Sequence, residues 1–405
     1  MAYHTRIIEK QIAKELEQKD SVYLEGSMLS GKSALLKKTC GHVYDVRKAM
    51  ADIISFYALD IDKSIAFKGK GVHGIDSIDL CYEISSKQSG KAVYASSRST
   101  GKEHLTLYPL SLYEQGLSNG AVSLSGLFSG AYEDDFSASS SLTLPLLRQA
   151  IRVGGYPSSL GKKTASAPNK IIDALLNGAL AKESKTEQSG KRLEAILKAY
   201  ASNVSTIGKN TDMLRALRAL DPTLAESTLY DVINAMKRLL IIDEIEAWCP
   251  KIKAAATIRR LAKKEFVDPS LALSALKKSE SDLEKDPLLL SRLFEGEVAR
   301  DLRVYGQALG GKLSYYEDRF LLKADLRLAL PNGKYALIQA RLGEKDARDG
   351  EKDLLEIKRK ILLHDARFPA DMITLPSFMM VITCGEKAYR SKSGVYYCPL
   401  GCLGE

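Results

Sequence analysis

The chain has 405 residues, too many for one ordinary domain at ~150 residues each. Apolar residues make up 45% and charged residues 27%, which excludes global disorder, and no run reaches the roughly 18 uncharged apolar residues of a membrane span. Lys and Arg number 59 against 50 Asp and Glu, and the resulting +9 mildly favours an anionic partner. The N-terminus is charged throughout and lacks an apolar segment, so no secretory signal is expected. Six scattered cysteines (Cys40, Cys81, Cys249, Cys384, Cys398, Cys402) read as reduced thiols of a cytoplasmic protein.

Ile7, Ile8, Ile12 and Leu16 recur at helical spacing and predict an opening helix. Val22-Tyr23-Leu24 predicts a strand, followed by a glycine-bearing loop and a helix from Lys32 to Thr39. Short strand candidates fill 52–110, with Ala92–Ala95 and Leu105–Tyr108 the clearest, and the Ser- and Gly-rich stretch 116–141 reads as loop. A polar stretch at 183–190 marks a boundary. Residues 191–240 read as three helices, followed by apolar segments at 239–242 and 266–267, the outline of a winged helix. From Pro287 the pattern is helix (288–307), strands (313–341), a charged helix (346–363) and two strands (378–384, 394–398).

Gly26-Ser27-Met28-Leu29-Ser30-Gly31-Lys32-Ser33 matches G-x-x-x-x-G-K-[ST] between a strand and a helix. Such glycines let backbone N–H groups curl around a phosphate, Lys32 reaches its outer oxygens, and the Ser33 hydroxyl suits Mg2+. Gly26, Ser27, Ser30, Gly31, Lys32 and Ser33 are therefore the expected nucleotide contacts. A metal also needs an acid at a second strand end. Asp76 in Gly74-Ile75-Asp76-Ser77-Ile78-Asp79 either supplies it or belongs to an ordinary surface loop. Ser77, the next residue, cannot serve as a general base at neutral pH, and Asp79 or Glu83 would replace it only if the backbone turned them inward.

Several further blocks carry a resemblance: Leu107–Glu114 (LYPLSLYE), Gly154-Gly155-Tyr156-Pro157, Val267–Ala272 (VDPSLA), Leu293-Phe294-Glu295 and Asp301–Tyr305 (DLRVY). With the phosphate loop, they resemble the large prokaryotic family of AAA-type P-loop ATPases that carry a C-terminal domain of unknown function. The resemblance implies that Asp76 is the metal-side acid, that the catalytic Glu is lost at Ser77, and that Ser96, Ser97 or Arg98 stands at the sensor segment. It also implies a last domain similar to PD-(D/E)xK nucleases, whose carboxylates hold a dication beside a lysine. Asp325 matches that pattern, but Gln339 and Arg341 replace its Glu and Lys, Lys323 adds a cation, and Glu295 is a further acid. A neutral amide is a poor ligand for a hard dication, so this site is expected to be degenerate.

Lys251, Lys253, Arg259, Arg260, Lys263 and Lys264 cluster at the expected wing, where they either meet DNA phosphates or form a solvated face. The fold class expected is α/β: an AAA-type core (1–145), a helical lid (146–190), a winged helix (191–280) and a restriction-endonuclease-like domain (281–405). The expected function is an ATP-binding protein with slow or impaired hydrolysis, using ATP or ADP with Mg2+ as a nucleotide-dependent switch, with no membrane partner. The alternative is a DNA- or protein-binding scaffold with a catalytically dead nuclease domain.

Overall fold

A computed structural model describes residues 3–184, 190–250, 258–365 and 375–405. Its first sheet holds β1 (Ser21–Glu25), β2 (His42–Asp45), β3 (His73–Asp76), β4 (Ala92–Ser96) and β5 (Leu105–Thr106) in the order β2-β3-β4-β1-β5, all parallel. β4 is buried along its whole length, as a central parallel strand covered on both faces must be. On one face, helices Ile8–Gln18 and Lys32–Thr39 pack Ile8, Ile12, Leu16, Leu35 and Leu36 against Val22, Leu24 and Val93. On the other, Val46, Leu59, Phe67 and Ile84 meet Ile75 and Tyr94. The parallel register brings Glu25, Asp45, Asp76 and Ser96 to one edge of the sheet, and open α/β sheets bind ligands beyond that carboxyl edge.

Residues 53–61, within the stretch expected to hold short strands, form a helix instead. Asp52 starts it by accepting the Ser55 N–H at 2.9 Å. The middle of the chain is helical: Leu144–Val153, Ser166–Ala174, then Gly190–Ser202, Asn210–Arg218 and Glu226–Arg238. The three-helix expectation holds at the level of these elements. Antiparallel bridges Ile242–Phe266 and Ile245–Lys263 follow, with Thr206–Lys264 beside them.

The remaining strands are β6 (Val122–Ser123), β7 (Ser137–Ser139), β8 (Lys312–Glu317), β9 (Lys323–Ala329), β10 (Tyr335–Ala340), β11 (Phe378–Thr383), β12 (Lys387–Arg390), β13 (Tyr396–Pro399) and β14 (Leu403–Gly404). Seven of them form a mixed sheet in the order β7-β12-β13-β11-β10-β9-β8. Alternation along β10 sends Ala336 and Ile338 into the core shared with helix Pro287–Ala308, and Leu337 toward Leu354 and Ile357 of helix Glu344–Asp365. The expected boundary at 145 and the expected loop at 116–141 need correction here. β7 is the edge strand of the C-terminal sheet, and β6 pairs with β14. Short Ser- and Gly-rich strands carry little propensity of their own, and pairing across the fold decides them.

Candidate functional site

The loop Gly26–Ser33 runs from the end of β1 into the helix that starts at Lys32. Gly31 adopts φ 106°, where a side chain would be strained, and a Cβ on Gly26 would lie 2.6 Å from the Leu107 carbonyl oxygen. The buried Lys32 ammonium donates to the Gly26 and Ser27 carbonyls, both at 2.8 Å. Burial pulls Lys32 down to about 8, with Asp76 acting in the opposite direction. Among the described residues the Ser27 and Ser30 hydroxyls are buried without a hydrogen-bond partner, but neither lines the adjoining cavity. Gly31, Lys32 and Ser33 do line that cavity, which measures about 680 Å3. Its lining combines polar side chains, among them Lys32, Ser33, Asp45, Arg47, Asp76 and Ser97, with apolar ones, among them Leu110, Pro157 and Ile171.

The lining suits a nucleotide with its cation: a desolvated ammonium meets phosphate, and apolar side chains suit a base. Asp76, at the end of β3, lines the cavity, and Ser77 follows it at φ 63°. Among the described residues no three acids, histidines or cysteines converge as a ready metal site, so Ser33 and Asp76 would hold Mg2+ only together with phosphate oxygens. Of the expected sensor residues, Ser97 lines the cavity. Ser96 is turned into its own loop, donating to the Arg98 carbonyl at 2.7 Å, and Arg98 lies outside the cavity wall. Asp79 accepts from Ser97 N at 3.3 Å, and Glu83 is exposed and pairs with Lys63 at 3.2 Å.

Sequence reasoning missed Arg6. Its buried guanidinium donates to the Ser30 carbonyl at 3.1 Å, the Tyr108 carbonyl at 2.6 Å and Glu114 Oε1 at 3.1 Å. It ties the phosphate loop to the LYPLSLYE block, and the one available signal was the acid Glu114, which once buried requires a cation. Two of the other sequence blocks, VDPSLA and DLRVY, meet at a second arginine, Arg300, which is fully buried with Asp268, Glu297 and Asp301. Asp268 also accepts from Gly155 N at 2.9 Å, and Asp301 from Leu112 N at 3.2 Å. Burial pushes the Glu297 carboxyl up, as expected where one arginine faces three acids.

In the seven-stranded sheet, residues expected at a degenerate nuclease site do come together. Asp325 is buried between Lys323 Nζ, 3.0 Å away, and Arg341 Nη1. The Lys263 ammonium binds Glu295 Oε1 and, at 2.8 Å, the Asp325 carbonyl. Burial works to raise Asp325, but Lys323, Arg341 and Lys263 hold it well below the usual carboxylate range. Gln339 donates to the Lys323 carbonyl. Protein cations thus occupy the place where a dication would need open carboxylates.

That placement corrects the expected basic wing. Lys263 and Lys264 are buried, and Lys264 donates to the Gly208 carbonyl at 2.5 Å, so neither is available to a phosphate backbone. Arg259 pairs with Glu317 at 3.1 Å, Arg260 is exposed, and Lys251 and Lys253 lie outside the described residues. No helix among the described residues is long and apolar enough to cross a membrane.

Comparison with known proteins adds similarities of sequence and of fold. Residues 144–282 match the family model of a domain of unknown function, DUF8612. The fold is similar at a TM-score of 0.39 to a Walker-type ATPase of Pyrococcus abyssi, at 12% identity, over 67% of this chain and 96% of that one. No curated protein matches.

Proposed function

We propose that this protein binds ATP or ADP with Mg2+ at Gly26–Ser33, hydrolyses ATP slowly, and uses nucleotide occupancy as a switch. The observation that carries this reading is the Lys32 ammonium, desolvated and held by two loop carbonyls in the wall of a nucleotide-sized cavity. Loop N–H groups and the helix N-terminus receive the phosphates and Lys32 neutralises them; Ser33 and Asp76 would hold Mg2+, which would supply further charge stabilisation to the phosphate oxygens. Arg47, which also lines the cavity, adds a second cation. Slow turnover follows from Ser77, which supplies no carboxylate, while Asp79 faces Ser97 N and Glu83 pairs with Lys63 at the surface. Steady-state phosphate release tests this: wild type is expected to turn over slowly and Ser77→Glu faster. Fast wild-type release that survives changes at Asp79 and Glu83 would overturn the assignment.

The Lys32 environment makes binding depend on pH. A lysine near 8 in the free protein, raised when an anion pairs with it, takes up a proton as nucleotide binds. Affinity is therefore highest below pH 8 and falls as pH rises through that value, by at most about tenfold per unit. Calorimetry in buffers of different ionisation enthalpy is expected to show proton uptake at pH 8, and none in Lys32→Met.

The nuclease-like centre, on this reading, does no chemistry. With Mg2+ or Mn2+ the protein is expected to cut neither DNA nor RNA, and Gln339→Glu with Arg341→Lys restores the acid pattern for comparison. Wild-type cleavage abolished by Asp325→Ala would reverse this. A scaffold role binding protein rather than DNA is favoured by the burial of Lys263 and Lys264.

A further inference from the structure

The helix Ile53–Ile61 has the sequence IISFYALDI, yet Leu59 is its one buried residue. Ile53, Ile54 and Ile61 are 71%, 78% and 85% exposed, and Phe56 and Tyr57 are exposed with them. A helix this apolar on all sides is normally covered, and contiguous exposed apolar surface marks a contact face. The helix is properly formed, because Asp52 caps its first turn. It packs on the short helix Val46–Ala51, which follows β2, the edge strand of the first sheet.

We propose that this face is the interface of a two-fold dimer of the chain. Ile53, Tyr57 and Ile61 recur every fourth residue and form one stripe. Arg47 and Lys48 precede the segment, where Asp52 is held as the cap on Ser55 N, and Asp60 and Asp62 close it ahead of Lys63. Lys63 feels Asp60 but pairs with Glu83 at 3.2 Å, and Lys48 meets Asp45 only at 3.8 Å. When two copies pair antiparallel about a two-fold axis, the isoleucines at the start of one stripe meet Ile61 of the other. Lys48 of each copy then approaches Asp60 and Asp62 of its mate. An isologous contact requires this kind of self-complementary surface. An anionic lipid surface fits less well, because Asp52, Asp60 and Asp62 are exposed around the same apolar stripe.

Sedimentation of the full chain at micromolar concentration tests the proposal. The expected mass is twice the 44.5 kDa of the chain. Ile54→Lys, at an exposed position, is expected to give the single-chain mass with an unchanged circular dichroism spectrum and melting midpoint. Leu220→Lys, 82% exposed elsewhere, is expected to stay dimeric. Asp60→Lys is expected to weaken the dimer, and adding Lys48→Glu to restore it. A wild-type chain that sediments as one copy at all concentrations overturns the proposal, as does a dimer that survives Ile54→Lys, an assembly larger than two, or a single copy that co-sediments with phosphatidylserine vesicles.

Discussion

Replacing Arg300 with methionine is expected to lower stability by about 3–5 kcal/mol, a large share of the roughly 5–15 kcal/mol that holds ordinary domains folded. Arg300 is fully buried and binds Glu297 Oε1 at 2.5 Å, Asp301 Oδ1 at 2.7 Å and Asp268 Oδ2 at 3.2 Å. Without it, three carboxylates face one another with no cation, so they must protonate or admit water. The damage reaches beyond the site. Asp268 holds Gly155 N ahead of the Tyr156-Pro157 turn, and Asp301 holds Leu112 N in the block that also carries Glu114, the partner of Arg6. Arg300→Lys is expected to fail nearly as badly, because one ammonium cannot reproduce the guanidinium fork. Thermal unfolding midpoints and the soluble fraction check this. Variants that melt like wild type would show that the cluster does not hold the helical and C-terminal parts together.

The second large effect is on ligand binding. Lys32→Ala is expected to cost roughly 3 kcal/mol of nucleotide affinity, about a hundredfold. The loss combines the missing phosphate contact with the freeing of the Gly26 and Ser27 carbonyls, which hold the loop in shape through Lys32. The melting midpoint is expected to stay near the wild-type value, since removing a partly neutralised buried ammonium also removes its desolvation cost. Titration calorimetry on a variant shown to be folded separates the two effects. Unchanged affinity would mean that nucleotide, if bound, sits elsewhere.

Some of this was legible in the sequence because it is local. Eight contiguous residues define the phosphate loop, and strand–loop–helix context is written within about one βα unit. The opening helix, the three central helices and the order of elements from 287 to 365 follow from period alone, whereas β12 and β14 beyond them do not. What the sequence did not disclose joins distant positions: Arg6 with Glu114, Lys263 with Asp325, β7 with β12. Lys263 looked like one of six wing cations, because a lysine in a basic run gives no sign that its ammonium is buried against Glu295 and Asp325. The helix at 53–61 escaped a periodicity search for the opposite reason. Almost none of it is buried, so it has no polar face to alternate with the apolar one.

The central claim is that Gly26–Ser33 is a working nucleotide site, and titration of the wild-type chain with ATP and Mg2+ by calorimetry tests it most directly. The account predicts saturable binding of one nucleotide per chain, weakened by omission of Mg2+ and by Asp76→Ala. Absence of measurable binding to ATP, ADP or GTP at millimolar concentration by a folded sample would contradict it.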